Sequence, residues 1–131
     1  QGIHRFRYAI VLHDGDRGHV HDQAEAFNNP LRLLPGGSGP SGAARSFAHI
    51  DGEGVSVESV KKAEDSDAIV LRLWETRGGR RQVALDLNGA RCRISEADLL
   101  ERPGPLLSER TSRIVLEFTP FEIKTLLLEE A

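Results

Sequence analysis

Residues 68–94 read AIVLRLWETRGGRRQVALDLNGARCRI, and this stretch decides the fold class. Ala68 to Trp74 is apolar at both odd and even positions, interrupted only by Arg72, which marks a strand buried on two faces. Gly78-Gly79 then turns the chain into Gln82 to Leu87, so the two segments are predicted to pair as a hairpin. Asn88-Gly89 is a favoured hairpin dipeptide, because both residues tolerate positive φ, and it leads to a strand from Arg91 to Ile94.

Strand signals continue outward in both directions. Ala97 to Leu100 is short and reads either way. Ser112 to Phe118 alternates Ile114, Leu116 and Phe118, Pro120 interrupts, and Phe121 to Leu128 forms a last strand. Upstream, Phe47 to Ile50 ends at Asp51-Gly52, and Val55 to Val57 runs into the charged Lys61-Lys62-Ala63-Glu64-Asp65. Nearer the start, His4 to Leu12 (HRFRYAIVL) is rich in β-branched and aromatic residues and is predicted as a strand. Val20, Ala24 and Phe27 share one helical face, and Asn28-Asn29-Pro30 stops that helix. Leu31 to Leu34 is a brief strand, and residues 35–42 (PGGSGPSG) have the composition of an exposed loop. The expected architecture is all-β, an antiparallel β-sandwich with one short helix near the N-terminus, filling residues 1–131 as a single domain.

Composition bounds the function. The chain has 131 residues, 39% hydrophobic and 28% charged, which suits one globular domain and argues against disorder or a coiled coil. No apolar run reaches the ~18 residues of a membrane-spanning helix, so no membrane partner is expected. A net charge of −3 without a basic stripe argues against nucleic acid, and Arg77 to Arg81 reads as a solvated hairpin tip. Cys92 is the only cysteine. An internal disulfide is therefore impossible, and a reducing, cytoplasmic setting is expected. The sequence contains no Met, so Gln1 is not expected to be a translation start, and the chain is expected to be either processed or cut from something longer.

Candidate chemistry is sparse. His13-Asp14-Gly15-Asp16-Arg17-Gly18-His19-Val20-His21-Asp22 gathers three imidazoles and three carboxylates, and Asp14, Asp16, Asp22 and Glu25 follow part of a calcium-loop spacing. Gly18 stands where an oxygen ligand is needed and His19 where Gly is required, so no metal site is expected. A polar turn, with Asp14 or Asp16 accepting backbone donors, is expected instead. Cys92 is read as a buried structural thiol, since its neighbours Arg91 and Arg93 point to the opposite face of a strand. Paired carboxylates for glycoside hydrolysis cannot be chosen among Glu58, Glu64, Asp65, Glu75 and Glu122. Arg72 is more informative: within an apolar strand its guanidinium needs a carboxylate, and Glu64, Glu58 or Glu75 is the expected partner. Trp74 is expected in the core.

The run Gly2-Ile3-His4-Arg5-Phe6-Arg7-Tyr8-Ala9, then His13 and Ala26-Phe27-Asn28-Asn29-Pro30-Leu31, resembles the start of the C-terminal β-domain of glycoside hydrolase family 38 α-mannosidases, in their bacterial and cytosolic branch. Ser46-Phe47, Val60-Lys61-Lys62-Ala63-Glu64, Leu71-Arg72-Leu73-Trp74-Glu75 with Gly78, Asp98-Leu99-Leu100-Glu101 and Pro120-Phe121-Glu122-Ile123-Lys124-Thr125-Leu126 follow in family order. Leu12 departs from the pattern, standing where the family usually has proline. The resemblance implies a terminal β-sandwich that packs against the N-terminal catalytic region of the same chain, in a retaining enzyme hydrolysing terminal α-mannosyl residues. It implies no catalytic residue and no metal ligand here; zinc, the nucleophile and the acid/base belong to the catalytic region, and mannosides are met only through the parent enzyme. Tyr8, His13 and Trp74 are candidates for carbohydrate or domain contact. The alternative is an independent carbohydrate-binding sandwich, stacking sugars on Tyr8 or Trp74.

Overall fold

The computed structural model describes residues 2–15, 17–33 and 46–130. They fall into two compact units, residues 1–37 and 38–131. The loop expected over residues 35–42 lies outside the described residues, as do Asp16 and Leu34.

Among the described residues the first unit has one helix, α1 (Arg17–Asn28). It starts three residues before the apolar spacing suggested and ends at the Asn-Asn-Pro stop. His4 to Leu12 carries no strand, and neither do residues 31–33, so the two predicted strands are not found among the described residues. Period-2 alternation describes a backbone able to pair, whereas a strand exists only when a second strand takes its hydrogen bonds.

The second unit is a two-sheet antiparallel sandwich, as expected. Its strands are β1 (His49–Asp51), β2 (Val55–Lys62), β3 (Ile69–Glu75), β4 (Arg81–Asp86), β5 (Cys92–Ala97), β6 (Pro103–Thr111), β7 (Arg113–Phe118) and β8 (Ile123–Glu130). The sheets have orders β1-β4-β7 and β2-β3-β8-β5-β6. Only β2–β3 and β5–β6 are consecutive partners. The hairpin predicted across Gly78-Gly79 is therefore absent, because β3 and β4 belong to different sheets. The same holds for Asn88-Gly89. Both residues have positive φ, 52° and 88°, and Ala90 N–H donates to Leu87 O at 3.1 Å, yet this tight turn carries the chain from one sheet to the other. Turn chemistry encodes a reversal of direction, and the apolar faces select the partner.

Between the sheets lies the core of Leu71, Leu73, Val83, Leu85, Leu87, Ile94, Leu116, Phe118, Leu126 and Leu128. Leu71 and Leu73 supply it from β3, opposite Leu126 and Lys124 of β8. The alternate positions of β3 point outward. There Val70 joins Leu127, Ala63 and Ala68 in a second small cluster beside the 63–68 and 98–102 connections. That outer cover explains why β3 is apolar at both parities. It also moves Trp74: the indole lies on the outward side, in register with Ser56 and Ile123, and is half-buried. The core position expected for Trp74 is corrected by parity, since Leu73 and Glu75 take the inward positions on either side.

Candidate functional site

The most constrained polar group of the sandwich is Glu75, 0% exposed at the end of β3. Its Oε1 accepts the Arg77 N–H at 3.0 Å. Its Oε2 accepts those of Gly78 at 2.8 Å and Phe121 at 2.9 Å. Arg81 Nε stands 3.6 Å from Oε1. Burial alone would raise the Glu75 pKa, but the amide donors of Phe121, Arg77, Gly79 and Gly78 outweigh it and hold the carboxyl below its ordinary value. An ionised carboxylate thus staples the 76–80 connection to the 119–122 turn, two segments far apart in sequence. Gly78 is needed there: its φ is 73°, and a Cβ would meet the Phe121 ring at 2.5 Å. The Arg77–Arg81 stretch is consequently a pinned inter-sheet connection, not the solvated hairpin tip expected from sequence.

Beside this staple opens a cleft of about 560 Å³ lined by Arg80, Arg81, Gln82, Glu117, Thr119, Glu122 and Lys124 over the Phe118 ring. Glu122 accepts hydrogen bonds from Thr119 N–H at 2.6 Å and Thr119 Oγ1 at 2.9 Å, and pairs with Lys124 at 3.0 Å. Burial raises its pKa, and these donors more than reverse that. Lys124 also reaches Glu96 at 3.2 Å. Glu117 accepts from the Gln82 amide at 3.2 Å. A general acid for glycoside hydrolysis must hold its proton near neutrality, and Glu75 and Glu122 are held in the opposite direction. Arg80 and Arg81 line the cleft together with the carboxylates of Glu117 and Glu122.

Arg72 does not find the carboxylate expected for it. Its Nε donates to Thr125 Oγ1 at 3.3 Å and its Nη2 to Leu99 O at 3.4 Å, on the outward face of the five-stranded sheet. Being only half-buried, the guanidinium is not forced into a close ion pair. Glu75 is committed to amides and Arg81. Glu64 pairs with Lys61 at 2.7 Å, and Lys61 in turn holds Glu101 at 2.8 Å, a pairing with no local sequence signal. Arg72→Ala removes two long hydrogen bonds, worth about 1 kcal/mol together, and should lower the melting temperature by about 4–8 °C for a domain of this size. An unchanged melt would contradict that role.

Tyr8 and His13 belong to the first unit, and Glu64, Arg72, Trp74 and Glu75 to the sandwich. Tyr8 is exposed. His13 Nδ1 accepts the Gly15 N–H at 3.2 Å, a turn contact expected of Asp14 or Asp16. Asp22 and Glu25 sit on α1, so no calcium loop forms. Cys92 opens β5 half-buried, and burial together with the Glu130 charge raises its thiol pKa. Among the described residues no three His, Cys, Asp or Glu side chains converge to hold a metal ion. Nor is any described helix long and apolar enough to cross a membrane.

Comparison with known proteins adds a lineage to this geometry. The family described as glycosyl hydrolases family 38 C-terminal beta sandwich domain matches residues 54–126, wholly within the second unit. Alpha-mannosidase 2C1 of Homo sapiens is 37% identical over 97% of this chain, and Alpha-mannosidase 2C1 of Mus musculus is 33% identical over the same share. The chain spans 13% of the length of each of these relatives.

Proposed function

Since the chain belongs to the glycosyl hydrolase family 38 C-terminal β-sandwich family, we propose that it is the non-catalytic terminal domain of a longer α-mannosidase. In that enzyme it packs against the catalytic region, which hydrolyses terminal α-mannosyl residues with retention at a zinc-containing site, in the cytoplasm. The supporting observation is its end-to-end likeness to a small part of two α-mannosidases. The site geometry agrees with a scaffold role: its most buried carboxylate fastens two connections together and is inaccessible to substrate. Zinc chemistry is assigned to the catalytic region of that longer enzyme. The purified chain should release no 4-nitrophenol from 4-nitrophenyl α-mannoside, with or without added zinc. Turnover by the chain alone would overturn the reading.

The carbohydrate-binding alternative draws on Trp74, whose indole lies on the outward sheet face beside Ile123. Its half-burial leaves less than the open ring face that sugar stacking uses. NMR titration with mannose and mannobiose should leave the Trp74 and Tyr8 resonances unmoved; saturable shifts at either would favour the alternative.

A further inference from the structure

Residues 4–12 of the first unit form half of a packing arrangement. On one side, Ala9, Val11 and His13 line a groove with Val20, Ala24 and Phe27 of α1, and the Arg7 guanidinium lies 5.2 Å from the centre of the Phe27 ring. On the other side, Phe6, Tyr8, Ile10 and Leu12 are 84%, 82%, 85% and 91% exposed. Four consecutive same-face apolar side chains, two of them aromatic, are thus bare to water. Among the described residues of this unit, no backbone hydrogen bond pairs the segment. A segment lined by a helix on one side, with alternate apolar side chains exposed and no backbone pairing among the described residues, is a template for strand addition.

We propose that residues 5–12 pair as a β-strand with a sheet of the longer enzyme outside residues 1–131, burying Phe6, Tyr8, Ile10 and Leu12 in that sheet's core. This rests on the preceding assignment to a longer α-mannosidase. Three observations select the occupant. Period-2 alternation without backbone pairing among the described residues calls for a strand as partner. Among the described residues the two sheets are made of β1 to β8, and the family match begins only at residue 54. The relatives match 97% of this chain, which leaves too few unmatched residues to exclude Phe6 to Leu12, and they carry far more chain in which a sheet can reside.

Hydrogen–deuterium exchange on the 131-residue chain and on the full-length enzyme tests this. Amides of residues 6–12 should exchange near the unprotected rate in the short chain and at least about 100-fold more slowly in the full-length enzyme, as paired strands do. Fast exchange in both, in a full-length protein with α-mannosidase activity, would overturn the strand while leaving the family role intact. Slow exchange in the short chain that rises with concentration, with a dimer by light scattering, would name a second copy as partner and equally overturn it. Absence of mannosidase activity in the full-length protein would refute the functional assignment instead. Ile10→Asp should leave the melting of the short chain unchanged and lower that of the full-length enzyme by more than about 5 °C; no effect in either would also contradict the proposal.

Discussion

Glu75→Ala should unfold the sandwich about 10–20 °C below the wild type, by differential scanning calorimetry of the 131-residue chain. The substitution removes the acceptor for the amides of Arg77, Gly78 and Phe121 and leaves Arg81 without its 3.6 Å counter-charge. Each buried donor left unsatisfied costs about 1–3 kcal/mol, and partial hydration of the opened connections recovers some of that. About 2–4 kcal/mol remains, at about 4–8 °C per kcal/mol for a domain near 100 residues. The same carboxyl sets an acid limit. Its pKa is lowered in the fold relative to 4.5, so its stabilisation is fully present above about pH 4.5. It is lost as pH falls through the lower folded value. Glu75→Gln should therefore be less stable than wild type at pH 7, with the difference narrowing below pH 4. A constant difference across pH 3–7 would show that charge is not what holds the connections.

Leu126→Ala has the other large effect. Leu126 is fully buried in β8, the central strand of the larger sheet, opposite Leu71 on one side and Glu96 on the other. It sits in the core that joins the two sheets. Comparable leucine truncations cost about 2.7–5 kcal/mol, depending on how far the site collapses. A loss of about 3 kcal/mol, read from the urea midpoint at unchanged m-value, is expected. A loss below about 1 kcal/mol would mean that β8 is not where the sheets meet. The control Val115→Ala, on an exposed outward position of β7, should change stability by no more than about 0.5 kcal/mol.

The strands legible in the sequence are those whose apolar pattern is local. β3 declares itself by being apolar at both parities, and β7 by the alternation of Ile114, Leu116 and Phe118. β6 is invisible to that reasoning. Pro103 and Pro105 and the polar Ser108-Glu109-Arg110 resemble a loop, and only its place at a sheet edge, where proline is tolerated and one side is solvated, makes it a strand. The two mistaken hairpins share a cause. Gly78-Gly79 and Asn88-Gly89 state that the chain turns, but which sheet it enters depends on partners such as Ile114 and Leu85, brought together from distant positions. Glu75 shows the same limit at the site. Its residue type points to a buried charge, but its partner amide at Phe121 lies 46 residues away, and the nearest strand cation, Arg72, points to the opposite face. The family likeness, by contrast, rests on ordered local motifs and was readable throughout.

The central claim is that these residues serve as a docked, non-catalytic domain. Its most direct test is isothermal titration of the 131-residue chain into the separately expressed remainder of the full-length enzyme, with 4-nitrophenyl α-mannoside turnover followed in parallel. Saturable binding tighter than about 1 μM, about −8 kcal/mol, with activity only in samples containing the remainder, is the predicted result. No detectable association, or hydrolysis by the 131-residue chain alone, would contradict the claim.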